Sequence, residues 1–301
     1  MRHSVSTTAL RAILVMAIAM VISPAHLNAQ DNAEQWDQFK EHDGQSALVI
    51  DHAPMTAIIK AIAVRDAGSN KLAFSALTGK TLDYLKLYIR FLEQIPVSTL
   101  NRNEQLAYWL NLHNAAVLEH LAANKKLQRR VKRERGEPTN PGKSWSVLRF
   151  TVEGKKLSLN DIEQHVLLAN WQDPLVLYGL CYGVRGSSVL QGEAFSGKTV
   201  KAQLAAAAKE FINDSKKIRV KRGKVEVSTL HIWNQQALFN SDPALLIDHI
   251  KTYANDKLIS KLEGVSELGK DRFRWGSVAY IPRQQNFSTS DFGSARGGAG
   301  S

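Results

Sequence analysis

The chain has 301 residues, 44% of them hydrophobic, with a formal charge of +11 at neutral pH. This composition excludes a polar disordered chain and leaves room for one or two packed domains, while the positive excess points to anionic partners without specifying a fold. The single cysteine, Cys181, excludes an intramolecular disulfide and leaves a free thiol, an intermolecular bridge or a buried inert side chain.

The chain opens on a charged, then apolar, then small-residue stretch. Arg2 and Arg11 are followed by the uncharged run Ala12 to Ile22, which ends before Pro24. A bilayer span needs about 20 apolar residues, so the run is too short to cross a membrane and residues 1–29 read as a cleavable signal peptide. Cleavage after Ser23-Pro24-Ala25 or after Leu27-Asn28-Ala29 is expected; an uncleaved N-terminal anchor is the alternative. Loss of Arg2 and Arg11 lowers the charge to +9. A periplasmic or secreted protein follows, with no transmembrane segment in its mature part. After the signal come an N-terminal helical segment (30–80), the main domain (81–285) and a disordered tail (286–301) ending in Gly, Ala, Ser and Arg.

Apolar residues return at three and four over about 46–65, 81–94, 103–123, 158–170, 198–213 and 243–262, which predicts helices there. Ser158-Leu-Asn-Asp161 and Asn160-Asp-Ile-Glu163 are capping-box-like starts. Hairpins are predicted around Glu153-Gly154 (146–152 with 155–158) and Arg222-Gly223 (217–221 with 224–228). The run Leu175 to Tyr182, bounded by Pro174 and Gly183, predicts a buried strand. The order gives an α+β fold, mostly helical with a small antiparallel or mixed sheet, for which a papain- or transglutaminase-like arrangement is one form. No glycine-rich phosphate loop follows a strand, so no nucleotide cofactor is expected.

Five segments occur in order: Tyr108-Trp-Leu-Asn-Leu-His-Asn-Ala115, Leu157-Ser-Leu-Asn-Asp-Ile-Glu-Gln-His165, Leu180-Cys-Tyr-Gly183, Leu190-Gln-Gly-Glu-Ala-Phe195 and Phe211-Ile-Asn-Asp214. Together they resemble the bacterial domain of unknown function 547 family over roughly residues 80–260. The resemblance implies a domain of exported proteins with no settled activity. It also implies a second cysteine and a proline soon after the first. This chain instead has Arg185-Gly-Ser-Ser188, one residue longer, so a dithiol or thiolate-rich metal site lacks its second sulfur.

On a helix, Tyr108, Asn111 and Asn114 share a stripe, and His113 lies about 160° round from Asn111. The two amides can orient a ligand or a catalytic side chain, or tie the helix to neighbouring loops by buried hydrogen bonds. His113 and His120 are about 10.5 Å apart in rise, too far to share a metal, and no metal site is expected. Asp161 and His165, four apart, place a carboxylate beside an imidazole, whereas Glu163 points elsewhere; Asp161 and Glu163 also read as first-turn acids. Cys181 at a strand end before a glycine-containing turn suits a nucleophile with His165 as base, or a small buried hydrophobe.

The segment 125–135 carries Lys125, Lys126, Arg129, Arg130, Lys132 and Arg133, and a second basic hairpin spans 216–224. Both read as solvated loops or as docking surfaces for an anionic envelope polymer or lipid headgroups. Nucleic acid is not expected as a partner, given export and no aromatics interleaved in the basic run. Two functions therefore compete. One is thiol-dependent acyl transfer, with Cys181 as nucleophile, His165 as base and Asp161, Asn111 or Asn114 as orienters; the other is a non-catalytic binding module.

Overall fold

A computed structural model describes residues 36–66, 69–123, 125–137 and 140–278, and only the backbone of residues 65, 66, 69, 70, 125 and 134. The expected signal peptide (1–29) and tail (286–301) lie outside the described residues. Contacts divide the chain into two units, Met1–Asp37 and Gln38–Ser301. Of the first only Trp36 and Asp37 are described, and every element named below belongs to the second.

In chain order, α1 (Ala53–Ile62) leads into the hairpin β1–β2 (Ala63–Asp66, Ser69–Leu72), followed by α2 (Lys80–Glu93) and α3 (Arg102–Ala123). The short helices α4 (Lys125–Gln128) and α5 (Val131–Arg135) lead to the two-residue pair β3–β4 (Gly136–Glu137, Asn140–Pro141) and to α6 (Lys143–Ser146). Next come the hairpin β5–β6 (Phe150–Val152, Lys155–Leu157), α7 (Asp161–Leu168, a π-helix), α8 (Val176–Gly179) and α9 (Val200–Ile212). The last third holds β7–β8 (Arg219–Lys221, Lys224–Glu226), α10 (Thr229–Trp233), α11 (Gln235–Phe239), α12 (Pro243–Tyr253), α13 (Asp256–Leu262) and β9 (Glu267–Leu268). β9 pairs parallel to β8, whose other neighbour β7 is antiparallel, so this three-stranded sheet is mixed and the fold is α+β.

Helix α3 is the axis of the core. Side chains on all its faces are buried from Glu104 to Leu118, Trp109, Leu110 and Leu112 completely so. An all-round buried helix cannot show a single apolar stripe, and its interior polar residues must find partners. Glu104 accepts from the backbone N–H of Ile50 at 2.8 Å and of Gly197 at 3.1 Å. A Cβ at position 197 would lie 2.0 Å from the Glu104 carboxylate, so this close approach requires glycine. Tyr108 donates to the Leu92 carbonyl at 2.9 Å, and His120 Nδ1 accepts from Arg149 at 2.9 Å.

Both predicted hairpins form around the expected turns, with Phe150 opposite Leu157 and Arg219 opposite Glu226. Four elements differ from expectation. Helix α1 begins at Ala53 rather than near 46, because Asp51 accepts from the Ala53 N–H and Pro54 fits only the first turn. Residues 63–66 leave the helix to pair with 69–72. The stretch 243–262 breaks at Ala254, where Asn213 donates to the Tyr253 carbonyl and accepts from the Asn255 N–H, and Asn255 then caps α13.

The fourth difference is the expected strand 175–182. Asp173 accepts from the Leu175 N–H at 2.8 Å and Pro174 presets the first turn, so Val176–Gly179 coil as α8. Only from Leu180 is the chain extended, and its hydrogen-bond partner is then a side chain, Asn114.

Candidate functional site

Two amides on adjacent turns of α3 replace a missing strand neighbour. Asn111 donates to the Phe195 carbonyl at 2.8 Å and accepts from the Phe195 N–H at 3.0 Å. Asn114 donates to the Gly179 carbonyl at 2.8 Å and accepts from the Cys181 N–H at 2.9 Å. Each primary amide thus offers the donor and acceptor that a paired strand would supply to irregular backbone.

His113, on the other side of α3, meets Glu163. The π-helix α7 carries Glu163 into the interior at 1% exposure, where its carboxylate collects four donors. Oε1 accepts from His113 Nε2 at 2.9 Å and Trp145 Nε1 at 2.7 Å. Oε2 accepts from Arg135 Nη2 at 2.6 Å and the Tyr182 hydroxyl at 3.0 Å. Burial alone would raise this carboxyl, but the Arg135 charge and the His113 and Trp145 hydrogen bonds outweigh it and hold the group at about 2. Burial is also the largest influence on Arg135 and Tyr182. It opposes the Arg135 charge, which Glu163 nevertheless reinforces, and it raises the Tyr182 phenol.

Arg135 connects this centre to the basic segment. Gln128, Val131 and Arg135 point inward at three- and four-residue spacing, while Lys126, Arg129, Arg130, Lys132 and Arg133 are exposed. Of Lys125 only the backbone is described. Gln128 donates to the Leu121 carbonyl, and the Arg135 guanidinium lies 4.5 Å from the Tyr182 ring centre and 4.8 Å from that of Trp233. At Gly136, φ is +68° and a Cβ would lie 2.3 Å from the Gly142 nitrogen, so the turn into β3 requires glycine. Behind that turn lies an open depression lined by Arg129, Arg130, Lys132, Arg133, Glu137 and Trp233, among others. Among the described residues none of these four cations is in an ion pair. The second basic hairpin differs: Lys224 pairs with Glu267 at 2.7 Å and Arg219 with Glu226 at 2.8 Å.

Cys181 lies elsewhere, 3% exposed. It lines a cavity with about 20 Å³ of free space, room for one water molecule, alongside Ser187 and Ser188. The cavity is covered by β2 and the chain at Val278, which Leu72 N–H→Val278 O and Val278 N–H→Gly183 O bonds tie together. Burial pushes the thiol up to about 11, partly offset by a backbone hydrogen bond from Gly183 and by the charge of Lys217. Lys217 is itself buried against the Phe211 ring, with its ammonium pushed down by burial.

His165 is on the exposed side of α7, lowered by burial of part of its ring and raised again by Asp161. Asp161 Oδ2 accepts from the Ser158 N–H at 2.8 Å and hydroxyl at 2.7 Å, while Ser158 Oγ accepts from the Asp161 N–H, a reciprocal cap at the start of this helix. Among the described residues the Lys217 charge acts on the Cys181 thiol and the Asp161 charge on His165.

Of the sequence-selected residues, Asn114 and Cys181 are brought together directly, and Asn111 is one turn away. Sequence reasoning missed Arg135, Trp145, Tyr182, Trp233 and the inward role of Glu163. The signal for Arg135 was its spacing from Gln128 and Val131; Trp233 arrives from a remote helix and left no local signal.

Residues 97–212 match the model of a family described as "Protein of unknown function, DUF547", a stretch running from the turn before α3 to the end of α9. No curated protein and no solved structure matches the chain. Among the described residues no helix is long and apolar enough to cross a membrane, and no group of three or more His, Cys, Asp or Glu side chains could hold a metal ion.

Proposed function

We propose that this chain is an exported, non-catalytic binding module that docks on an anionic polymer or lipid surface through the depression around residues 129–142. The supporting observation is the set of four exposed cations, Arg129, Arg130, Lys132 and Arg133, gathered in one depression with no carboxylate paired to them among the described residues. The Arg135–Glu163 pair fixes the base of this segment, so the cations are presented on an ordered surface. Residues 1–29 direct export, and the module works in the periplasm or outside the cell.

Cosedimentation with phosphatidylglycerol vesicles and with a soluble polyanion tests the reading. Changing Arg129, Arg130, Lys132 and Arg133 to Gln should abolish retention at low salt, and added salt should mimic the change in the unaltered protein. Equal retention of both proteins would overturn it.

A second reading, acyl transfer by Cys181 with His165 as base and Asp161 as orienter, draws support from the cavity beside the thiol and the Gly183 hydrogen bond to it. Against it stand the free space of about 20 Å³, too small for a substrate acyl group, and a thiol raised to about 11. It requires the β1–β2 hairpin to open.

A further inference from the structure

Resting on the reading of this depression as an anion site, we propose that its ligand is an acidic saccharide, a chain of carboxylate-bearing sugar rings, with Trp233 as the ring-stacking residue. Trp233 is half-buried and lines the depression alongside the cations. Its indole is held in place by Arg135, 4.8 Å from the ring centre, and by Trp275, 5.6 Å away at 45°; Phe273 packs on Trp275 at 4.4 Å. An aromatic surface fixed in advance loses little conformational freedom on meeting the C–H face of a sugar ring.

The polar lining narrows the choice of anion. Glu137 and Asn140 are exposed in the same depression as the four cations. Glu137 repels any anion, but a carboxylate also accepts hydrogen bonds from sugar hydroxyls and an amide both donates and accepts, so an anion rich in hydroxyls offsets that repulsion whereas polyphosphate, which has none along its chain, does not. Arginine forks in turn match the planar carboxylate of a uronate. A bilayer surface fits less well, because among the described residues lining the depression the apolar side chains are Trp233 and Pro141, which do not make an extended apolar face to bury in lipid.

Titration calorimetry of the whole protein with oligogalacturonate, its methyl-esterified neutral form, polyphosphate, oligo-thymidylate and phosphatidylglycerol vesicles tests this. Oligogalacturonate should bind most tightly per charge and the esterified form weakly. Trp233→Ala should lose about tenfold in oligogalacturonate affinity with an unchanged salt dependence. Glu137→Gln, an exposed change that leaves the fold intact, should shift preference toward polyphosphate. If folded Trp233→Ala binds oligogalacturonate like wild type, if Glu137→Gln leaves the preference unchanged, or if polyphosphate, oligo-thymidylate or vesicles bind more tightly per charge, the saccharide assignment falls and the anionic-surface reading stands. If no anionic probe binds at low salt, both fall.

Discussion

Arg135 and Glu163, twenty-eight positions apart, meet at 2.6 Å in the interior with 2% and 1% of their side chains exposed. One ends the basic segment and the other lies in the first turn of the π-helix, so a single ion pair joins the proposed binding surface to the core. Removing one partner leaves a buried charge without its counterion, which costs about 3–5 kcal/mol. Arg135→Met should therefore unfold at markedly lower urea than wild type. The double variant Arg135→Met, Glu163→Gln should recover part of the loss, and full additivity of the two changes would mean that the pair is not coupled.

The same carboxylate sets an acid limit. Its folded value of about 2 lies below the ordinary 4.5, so the charged form stabilises the fold fully above about 4.5, and this contribution is lost as pH falls through 2. Stability measured from pH 6 down to pH 2 should fall steeply in the wild type. Glu163→Gln should be weaker at neutral pH and show a shallower slope over that interval.

A second acid-sensitive cluster lies around Tyr178, whose hydroxyl is 3.0 Å from His231 Nε2 and 2.9 Å from His249 Nε2. The hydroxyl donates to one imidazole and accepts from the other, so the two rings carry opposite tautomers. Burial lowers His231 to about 3, helped by His249, and lowers His249 to about 4. Both are neutral when folded and charge more readily when unfolded, so their contribution is complete above about 6.5 and declines as pH falls below it. Tyr178→Phe should lower stability at pH 7 by about 1–3 kcal/mol, because it leaves the buried His231 and the half-buried His249 without their shared partner. Chemical denaturation at pH 7 and pH 5 measures both effects.

Alkylation of Cys181 separates the binding and thiol readings. The buried thiol at about 11 should label slowly from pH 5 to pH 10, and His165→Ala should leave the rate unchanged, since the charge acting on the thiol is that of Lys217. Rapid labelling on the acid side of the free-thiol curve, lost in His165→Ala, would instead restore the acyl-transfer reading.

For the first residues, N-terminal sequencing of protein from the envelope fraction should find a start near His26 or Gln30. An intact Met1 would defeat the export reading.

What the sequence disclosed depended on how local the cause was. The Glu153-Gly154 and Arg222-Gly223 turns and the Ser158–Asp161 cap are set by neighbouring residues, and all three form where their spacing placed them. The start of α1 was hidden because apolar spacing continued past the Asp51–Pro54 boundary. Leu175 to Tyr182 is an apolar run compatible with strand or helix, and a local Asp173 turn plus the distant Asn114 decide it. Asp161 and His165 were picked out by their i, i+4 spacing, and Asp161 does act on His165 although its hydrogen bonds go to Ser158. Glu163 became central through Arg135, Trp145 and Tyr182, none of which lies within helical reach of it along the chain.

The amide clamps have a consequence for how the chain tolerates change. Cys181 is fastened by Asn114 and Phe195 by Asn111, and those two amides are separated by only about 4.5 Å of helix rise. Residues 182–194 are therefore a closed loop whose two ends are stapled side by side to one rigid rod. Its closure entropy is already met by the staples, and lengthening such a loop adds only slowly to the cost. Between those ends the backbone N–H groups of Arg185 and Gly186 donate to the Gly276 and Arg274 carbonyls and Ser187 and Ser188 are buried, so a change of length here is governed by this second anchorage rather than by closure entropy.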